Sequence, residues 1–412
     1  MLNDLHNPAS KRIAQAFLAV AFAAATLWDF RIHELRVFDG VALAALAGFF
    51  LICFESPREF FQRRREYWLL FATIGVYAVL GFALHGHRSS LAIIGLGFVG
   101  FILIGRRDWL ASAYFFNWLL AAHIVFFLIQ FLGFYLLNMR VEYMALIGRE
   151  SHIFPPSAPD LKVMFQGATQ IRAAGLFQEP NSYCLNAFVL GTICALLRPN
   201  WILIALTAAT MVISQSLWGV GAGVVLLLLD AMCRARSPRQ MMKNLTIYLL
   251  VTVAVFNAYL WLTKKPTDTV PYFYTRIAGI ANDTSARERF LHNSCPQAEL
   301  DKLARVPMAT RALFWVTGGG LTTSYFEQCL PDNGIAFLLK SFGAVGSILM
   351  LSGFALALRG LPIDSKLYAT IAIGFSFTTY PMVTYVTFWI WLPAILGLLR
   401  LRRSGDEQAV TA

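Results

Sequence analysis

Arg172 and Glu179 stand in a short polar stretch directly before an apolar segment, and they offer a cation and a carboxylate. The stretch reads Arg172-Ala-Ala-Gly175-Leu-Phe-Gln-Glu179-Pro180-Asn181. Pro180 suits the first turn of a helix, where its missing N–H costs nothing. The N-terminus of such a helix carries partial positive charge and free N–H groups, which favour an anion. Two interpretations stay open: an anion-binding site at this helix end, or a structural Arg172–Glu179 ion pair that closes the loop.

A second charged stretch contains three arginines, Arg276, Arg287 and Arg289, with Asp283 and Ser285 between them. A planar guanidinium matches phosphate oxygens with two parallel hydrogen bonds, so these arginines would suit a phosphate or pyrophosphate. The alternative is an amphipathic surface helix whose charges face water. From these residues alone neither interpretation is preferred.

A third stretch has a triple glycine, Gly318 to Gly320, followed by Asp332 and Lys340. The glycines indicate flexible or closely approached backbone and are a weak signal by themselves. Lys340 lies about two turns into a predicted helix, where a charge is costly and therefore often functional. The alternative for Lys340 is a side chain that extends towards the membrane surface.

Four further polar side chains lie within predicted helices, and the sequence predicts that they hydrogen-bond between helices. They are His123, Gln130, Asn186 and Asn257. The chain has no Cys–His metal spacing, no His-Glu-x-x-His, no nucleophile elbow and no Gly-Lys-Ser/Thr phosphate loop. We therefore predict neither a metal nor a cofactor. A lipid pyrophosphate would supply an activated substrate, because it carries its own leaving group.

These residues must be positioned by membrane-spanning elements. The chain has 412 residues, of which 58% are hydrophobic and 14% charged, well below the roughly 25% charged residues of soluble domains. Its apolar blocks approach the roughly 20 residues that cross a bilayer. They run approximately at 13–30, 38–54, 67–84, 91–105, 113–137, 181–197, 200–215, 217–233, 245–262, 334–358, 367–383 and 384–400. We predict an all-α polytopic integral membrane protein with about 12 transmembrane helices.

The chain has a net charge of +11. Its arginines and lysines are concentrated in alternate short connections and at the two ends of the chain. This distribution obeys the positive-inside rule with both termini in the cytoplasm, and it favours an even number of helices. No basic stripe of the kind that binds nucleic acid is present. The first block also resembles a signal peptide, although we interpret it as an uncleaved helix.

Two connections are long, and both are expected on the outer face. The predicted organisation is residues 1–137 for helices one to five, 138–180 for the first outer loop, 181–262 for helices six to nine, 263–332 for the second outer loop, and 333–412 for the last three helices and the tail. Long loops of this kind are usually functional. Of the six cysteines, Cys295 and Cys329 share the second outer loop, where a disulfide between them is a hypothesis.

Taken in order, these motifs resemble those of the O-antigen polymerase and O-antigen ligase superfamily, the Wzy-like, GT-C-type glycosyltransferases. Arg172 to Asn181 is similar to the family's Arg-x-x-Gly…Pro-Asn element before a helix. Arg276…Asp283-x-Ser285-x-Arg287 is similar to the element that opens its large outer loop. Gly318 to Asn333, and then Lys340-Ser-Phe-Gly343-Ala-Val-Gly346, resemble its closing glycine motif and the following helix.

The resemblance implies a metal-independent, inverting transferase at the periplasmic face of the bacterial inner membrane. Its substrate would be an undecaprenyl-pyrophosphate-linked oligosaccharide, and a chain-length regulator protein is an implied partner. Arg172, Arg276, Arg287, Arg289 and Lys340 would bind the pyrophosphate. Glu179 or Asp332 would be the catalytic base.

Two departures from the family pattern bear on the reaction. The ligases usually carry a histidine where this chain has Asp332, which favours a polymerase. The arginine-x10-glycine pattern of some polymerases is absent, so their mechanism does not carry over. The alternatives are a ligase that transfers glycan to lipid A-core or protein and, outside the enzymes, a transporter of lipid-linked glycan. Against a transporter stand the two charged outer loops and the lack of matching broken helices.

Overall fold

A computed structural model describes the chain over residues 8–27, 37–52, 65–85, 88–103, 113–144, 171–197, 200–235, 237–263, 307–318, 334–378, 382 and 385–403. Within these ranges all regular structure is helical, and no strand forms. The α-helices are α1 Pro8–Thr26, α2 Val37–Ile52, α3 Trp68–His85, α4 Arg88–Leu103, α5 Ala113–Leu137, α6 Pro180–Leu197, α7 Trp201–Ile213, α8 Leu217–Arg234, α9 Pro238–Thr263, α10 Met308–Thr317, α11 Gly334–Ala357, α12 Ile363–Ser376 and α13 Val386–Arg403.

Each predicted apolar block overlaps one of these helices, although the ends differ by several residues. By length and composition, six of the helical stretches in the described residues are suited to cross a membrane. They are Arg65–Ala83, Phe115–Leu137, Pro180–Leu197, Leu217–Arg234, Pro238–Trp261 and Leu338–Ala357. The protein is thus all-helical and of polytopic membrane type, while twelve spans remain a prediction. Helix α10 lies inside the predicted second outer loop and was not predicted.

The chain divides into two compact units, and each unit combines segments that are distant from one another in the sequence. The first contains α1, α2 and α5 to α9, and the second contains α3, α4 and α10 to α13.

In the first unit, α6 is the central helix, and all 18 of its residues are buried. A helix without a distinct polar face can be enclosed by other helices on all sides. It packs on α5, α7 and α8. Gly191 lets α8 approach closely, because a Cβ there would lie only 2.7 Å from Leu226 Cδ2. Small residues are what allow this kind of close helix packing within a bilayer.

A buried ionic group joins the C-terminal end of α8 to α9. Asp230 on α8 has no exposed surface, and its Oδ2 accepts a hydrogen bond from Arg234 Nε at 2.7 Å. Tyr248 on α9 donates its hydroxyl proton to the same carboxylate oxygen. The carboxylate thus ties α8 to α9 through one bond within its own helix and one between helices.

The second unit is organised around a break in α11. Gly343 has φ +60° and ψ −170°, so the helix is interrupted there. Gly318, at the end of α10 with φ +78°, lies against this break. A Cβ on Gly343 would lie 2.6 Å from Val316 O, and a Cβ on Gly318 would lie 2.6 Å from Gly343 N. The two backbones touch only because both positions are glycine.

Candidate functional site

The segment from Ile171 to Glu179, which carries the Arg172 motif, is held by its backbone against α5. The Ile171 N–H donates to Tyr135 Oη at 3.1 Å. The N–H groups of Ala174 and Gly175 donate to Gln130 Oε1 at 2.7 and 2.9 Å. Three backbone groups of a non-helical segment thereby obtain partners in otherwise apolar surroundings, which is what such a segment needs.

The segment descends along α5 rather than lying across its end. Its successive contacts on α5 are Tyr135, then Gln130, then the Phe127 backbone beside Gly175, and finally the His123 ring, which stacks on Phe177 at 5.4 Å. These positions span about 18 Å of helix at 1.5 Å per residue. Gly175 has φ +58°, and a Cβ there would sit 3.4 Å from Phe127 N, so this turn requires glycine.

Gln130 corrects one sequence-based expectation. It is 1% exposed, and its partners belong to loop backbone rather than to another helix. Its Nε2 donates to Val141 O at 3.0 Å, so one side chain holds the segments at both ends of the first predicted loop. The physical reason is that loop N–H and C=O groups lying beside an apolar helix have a greater need of partners than helical backbone does.

The other three predicted helix-to-helix residues behave differently from one another. His123 Nε2 lies 3.3 Å from Thr26 Oγ1, which joins α5 to α1 as expected. Asn186 and Asn257 donate to carbonyls of their own helices, at Ser182 and Val253. Polar side chains within helices can satisfy themselves locally, so spacing alone does not identify their partners.

The helices α6 and α8 begin side by side and run parallel. Ser216 Oγ donates to Asn181 Oδ1 at 3.0 Å, and the pairs Cys184–Gly219 and Gly191–Leu226 keep the same separation of 35 residues along the chain. The positive ends of two helix dipoles therefore lie together. Two parallel helix N-termini at one place favour negative charge more than either does alone.

A buried polar link, Ser214-Gln215-Ser216, connects α7 to α8 at this place, and its residues are at most 2% exposed. Gln215 has φ +60°, a strained conformation for a residue other than glycine. Its Nε2 donates to Tyr259 Oη on α9 at 2.6 Å, and Ser214 Oγ lies 3.1 Å from Cys184 Sγ. The sequence analysis missed this group. Its signal in the sequence is a Ser-Gln-Ser run between two apolar blocks, and such a run is equally typical of an ordinary tight connection.

Arg172 and Glu179 both belong to this region. Arg172 is half-buried in the segment that leads into α6. Glu179 is half-buried directly before α6, and its carbonyl accepts a hydrogen bond from Tyr183 N at 3.3 Å. Arg172 and Glu179 thus belong to the segment that enters α6, and the N-terminus of α6 lies beside that of α8. Such an arrangement would suit an anionic group.

The remaining predicted site residues lie elsewhere. Arg276, Arg287, Arg289 and Asp332 lie outside the described residues, as do Cys295 and Cys329. Lys340 is half-buried on α11 of the second unit, three residues before the break at Gly343. The Gly318 and Gly343 motifs, which are distant in sequence, do come together. Over the described ranges, no group of three or more His, Cys, Asp or Glu residues is arranged to hold a metal ion.

The fold and this region define an all-helical membrane-type protein with a polar loop-to-helix site among buried helices. No family model matches the chain, and no curated protein matches it either. The likeness to the O-antigen polymerase and ligase superfamily therefore rests on the motifs and their order.

Proposed function

We propose that this protein polymerises undecaprenyl-pyrophosphate-linked oligosaccharide repeats at the periplasmic face of the bacterial inner membrane. The observation that carries the proposal is that the N-termini of α6 and α8 lie together, with Arg172 in the segment that leads into α6. The paired helix N-termini favour an anion, and the surrounding membrane-type helices favour one that is attached to a lipid. The motif resemblance supports the same reaction. The positive-inside distribution supports the same face of the membrane.

In the proposed reaction, a hydroxyl oxygen of the acceptor sugar bonds to the anomeric carbon of the donor glycan. The bond from that carbon to the pyrophosphate oxygen breaks, and polyprenyl pyrophosphate leaves with the electron pair. The hydroxyl proton passes to Glu179 or Asp332. Catalysis would come from charge stabilisation, with Arg172 and the two helix N-termini supplying positive charge to the leaving pyrophosphate.

The first test is purified protein incubated with a lipid-linked repeat unit, with the products resolved by length. A ladder of lipid-attached glycans supports the polymerase. Unchanged repeat units, together with transfer after lipid A-core is added, would instead establish the ligase. No transfer to either acceptor would contradict the proposal.

Arg172→Ala should lower the initial rate by about 100-fold or more, the usual cost of removing one group that stabilises transition-state charge. Arg172→Lys should recover part of the rate, because an ammonium keeps the charge without the paired hydrogen bonds. Arg239→Ala, at an exposed arginine in the first turn of α9, is the matched control and should keep the full rate. Wild-type polymer yield from Arg172→Ala would overturn the role given to this residue.

A further inference from the structure

The C-terminal half of α5 carries an open apolar groove of about 420 Å³. Its floor is formed by α5 side chains between Val125 and Leu137, and its wall by Met139 and Val141. Val125, Ile129 and Met139 are each about half exposed, at 51%, 48% and 56%. The floor lies within the candidate membrane span Phe115–Leu137, so the groove opens where hydrocarbon would surround the protein.

The wall of this groove is not helical. The chain turns at Asn138, which has φ +51°, and then runs back along α5. Three bonds hold it there: Met139 N to Gly133 O at 2.8 Å, Gln130 Nε2 to Val141 O at 3.0 Å, and Tyr143 Oη to Phe126 O at 3.3 Å. Non-helical backbone beside a membrane helix persists only where such bonds are supplied. The groove is therefore a built feature and not a gap between side chains.

The groove adjoins the candidate site. Gln130 fixes the wall with its Nε2 and fixes Ala174 and Gly175 of the Arg172 segment with its Oε1. The non-helical stretch that forms the wall also carries an Arg140–Glu142 ion pair, whose two residues lie next to the groove-lining residues in the sequence. An amphiphile with a charged head at the Arg172 region and a long apolar chain matches this order of surfaces.

We propose that the groove holds the part of the polyisoprenoid tail nearest the pyrophosphate; this rests on the proposed function. The eight lining residues are all apolar or glycine, so the occupant is a hydrocarbon chain. The floor from Val125 to Leu137 is about 18 Å long at 1.5 Å per residue, so it covers only the first part of a long tail. The tail would position the anomeric carbon by fixing the lipid before its head is bound.

The test uses the full chain in nanodiscs of phosphatidylethanolamine and phosphatidylglycerol. The probe is polyisoprenyl pyrophosphate with a photoreactive diazirine in its first isoprene units, and adducts are mapped by mass spectrometry. We expect adducts between residues 125 and 141, removed by unlabelled polyisoprenyl pyrophosphate and not by extra phosphatidylglycerol. Equal labelling of the groove by a diazirine phosphatidylglycerol, or probe adducts on other helices, would overturn the proposal.

Ile129→Trp fills the groove, and Leu136→Trp is its matched control, since Leu136 is 59% exposed on α5 but does not line the groove. Ile129→Trp should lower adduct yield and raise the KM for the lipid-linked donor by about tenfold, the cost of blocking burial of two methylene groups, with kcat retained. Leu136→Trp should change neither value. Adducts in the groove without any polymer would refute the proposed function alone, whereas polymer with adducts elsewhere would refute the groove alone.

Discussion

At the scale of single residues, Gln130 is the side chain on which the candidate site depends most. All three of its hydrogen bonds go to loop backbone, and it is buried among apolar groups. The sequence predicted its polarity within a membrane helix but not its partners. Those partners follow from the descent of two loop segments along α5, which is a tertiary feature with no local sequence signal.

Gln130→Leu should destabilise the first unit and reduce polymer formation together. The N–H groups of Ala174 and Gly175 and the Val141 carbonyl would be left without partners, at about 1–3 kcal/mol each. Asn257→Leu is the control, because Asn257 is an exposed amide on α9 whose Nδ2 bonds within its own helix at 2.8 Å. Thermal unfolding in detergent and initial rates measure both effects. If Gln130→Leu matched the wild type in stability and rate, Gln130 would not hold the Arg172 segment in place.

At the scale of elements, apolar block length predicted the position of helices within the described residues, because helix formation in lipid follows from hydrophobicity and length. The short helix α10 was not predicted, since ten residues are too few to cross a bilayer and give no membrane signal. The break in α11 was missed as well. A glycine within an apolar helix gave no indication that another glycine, Gly318, would lie against it.

Gly343→Ala should destabilise the second unit by about 3 kcal/mol, because it combines backbone strain at positive φ with a clash against backbone atoms. Gly318→Ala should have a similar effect. Gly95→Ala is the control, since no atom lies within 4 Å of its Cβ position, and alanine there should stabilise α4 by up to about 1 kcal/mol. Chemical unfolding in mixed micelles compares the three, and equal stability for all would exclude close packing of α10 on α11.

Asp230→Ala should lower stability by about 3 kcal/mol, because Arg234 would lose the partner that compensates its burial. Tyr248→Phe removes one hydrogen bond and should cost about 1 kcal/mol. Asp364→Ala, an acidic residue in the first turn of α12, is the control and should change little. A smaller loss for Asp230→Ala than for Tyr248→Phe would mean that the carboxylate is not the centre of this group.

At the scale of the whole molecule, the charge distribution predicts which face each end of α5 and α9 occupies. Arg140 follows α5 and Gln240 lies in the first turn of α9, and both are exposed. In a background with Cys53, Cys295 and Cys329 replaced by serine, a membrane-impermeant maleimide should label Arg140→Cys in intact spheroplasts. It should label Gln240→Cys only after permeabilisation. The reverse pattern would invert the topology and place the Arg172 region in the cytoplasm.

The burial of α6 has a consequence for how the protein is made. All 18 residues of α6 are enclosed, and its mean hydropathy of 1.3 is the lowest of the six membrane-type helices. If helices enter the membrane in chain order, α6 meets lipid before α7 and α8 do, with Asn181 and Asn186 not yet covered by them. Its early shelter must come from α5, the neighbour already inserted. Biogenesis therefore depends on the order in which the helices emerge. The enclosure of α6, which membrane lipid solvates poorly, is completed when α8 packs against it.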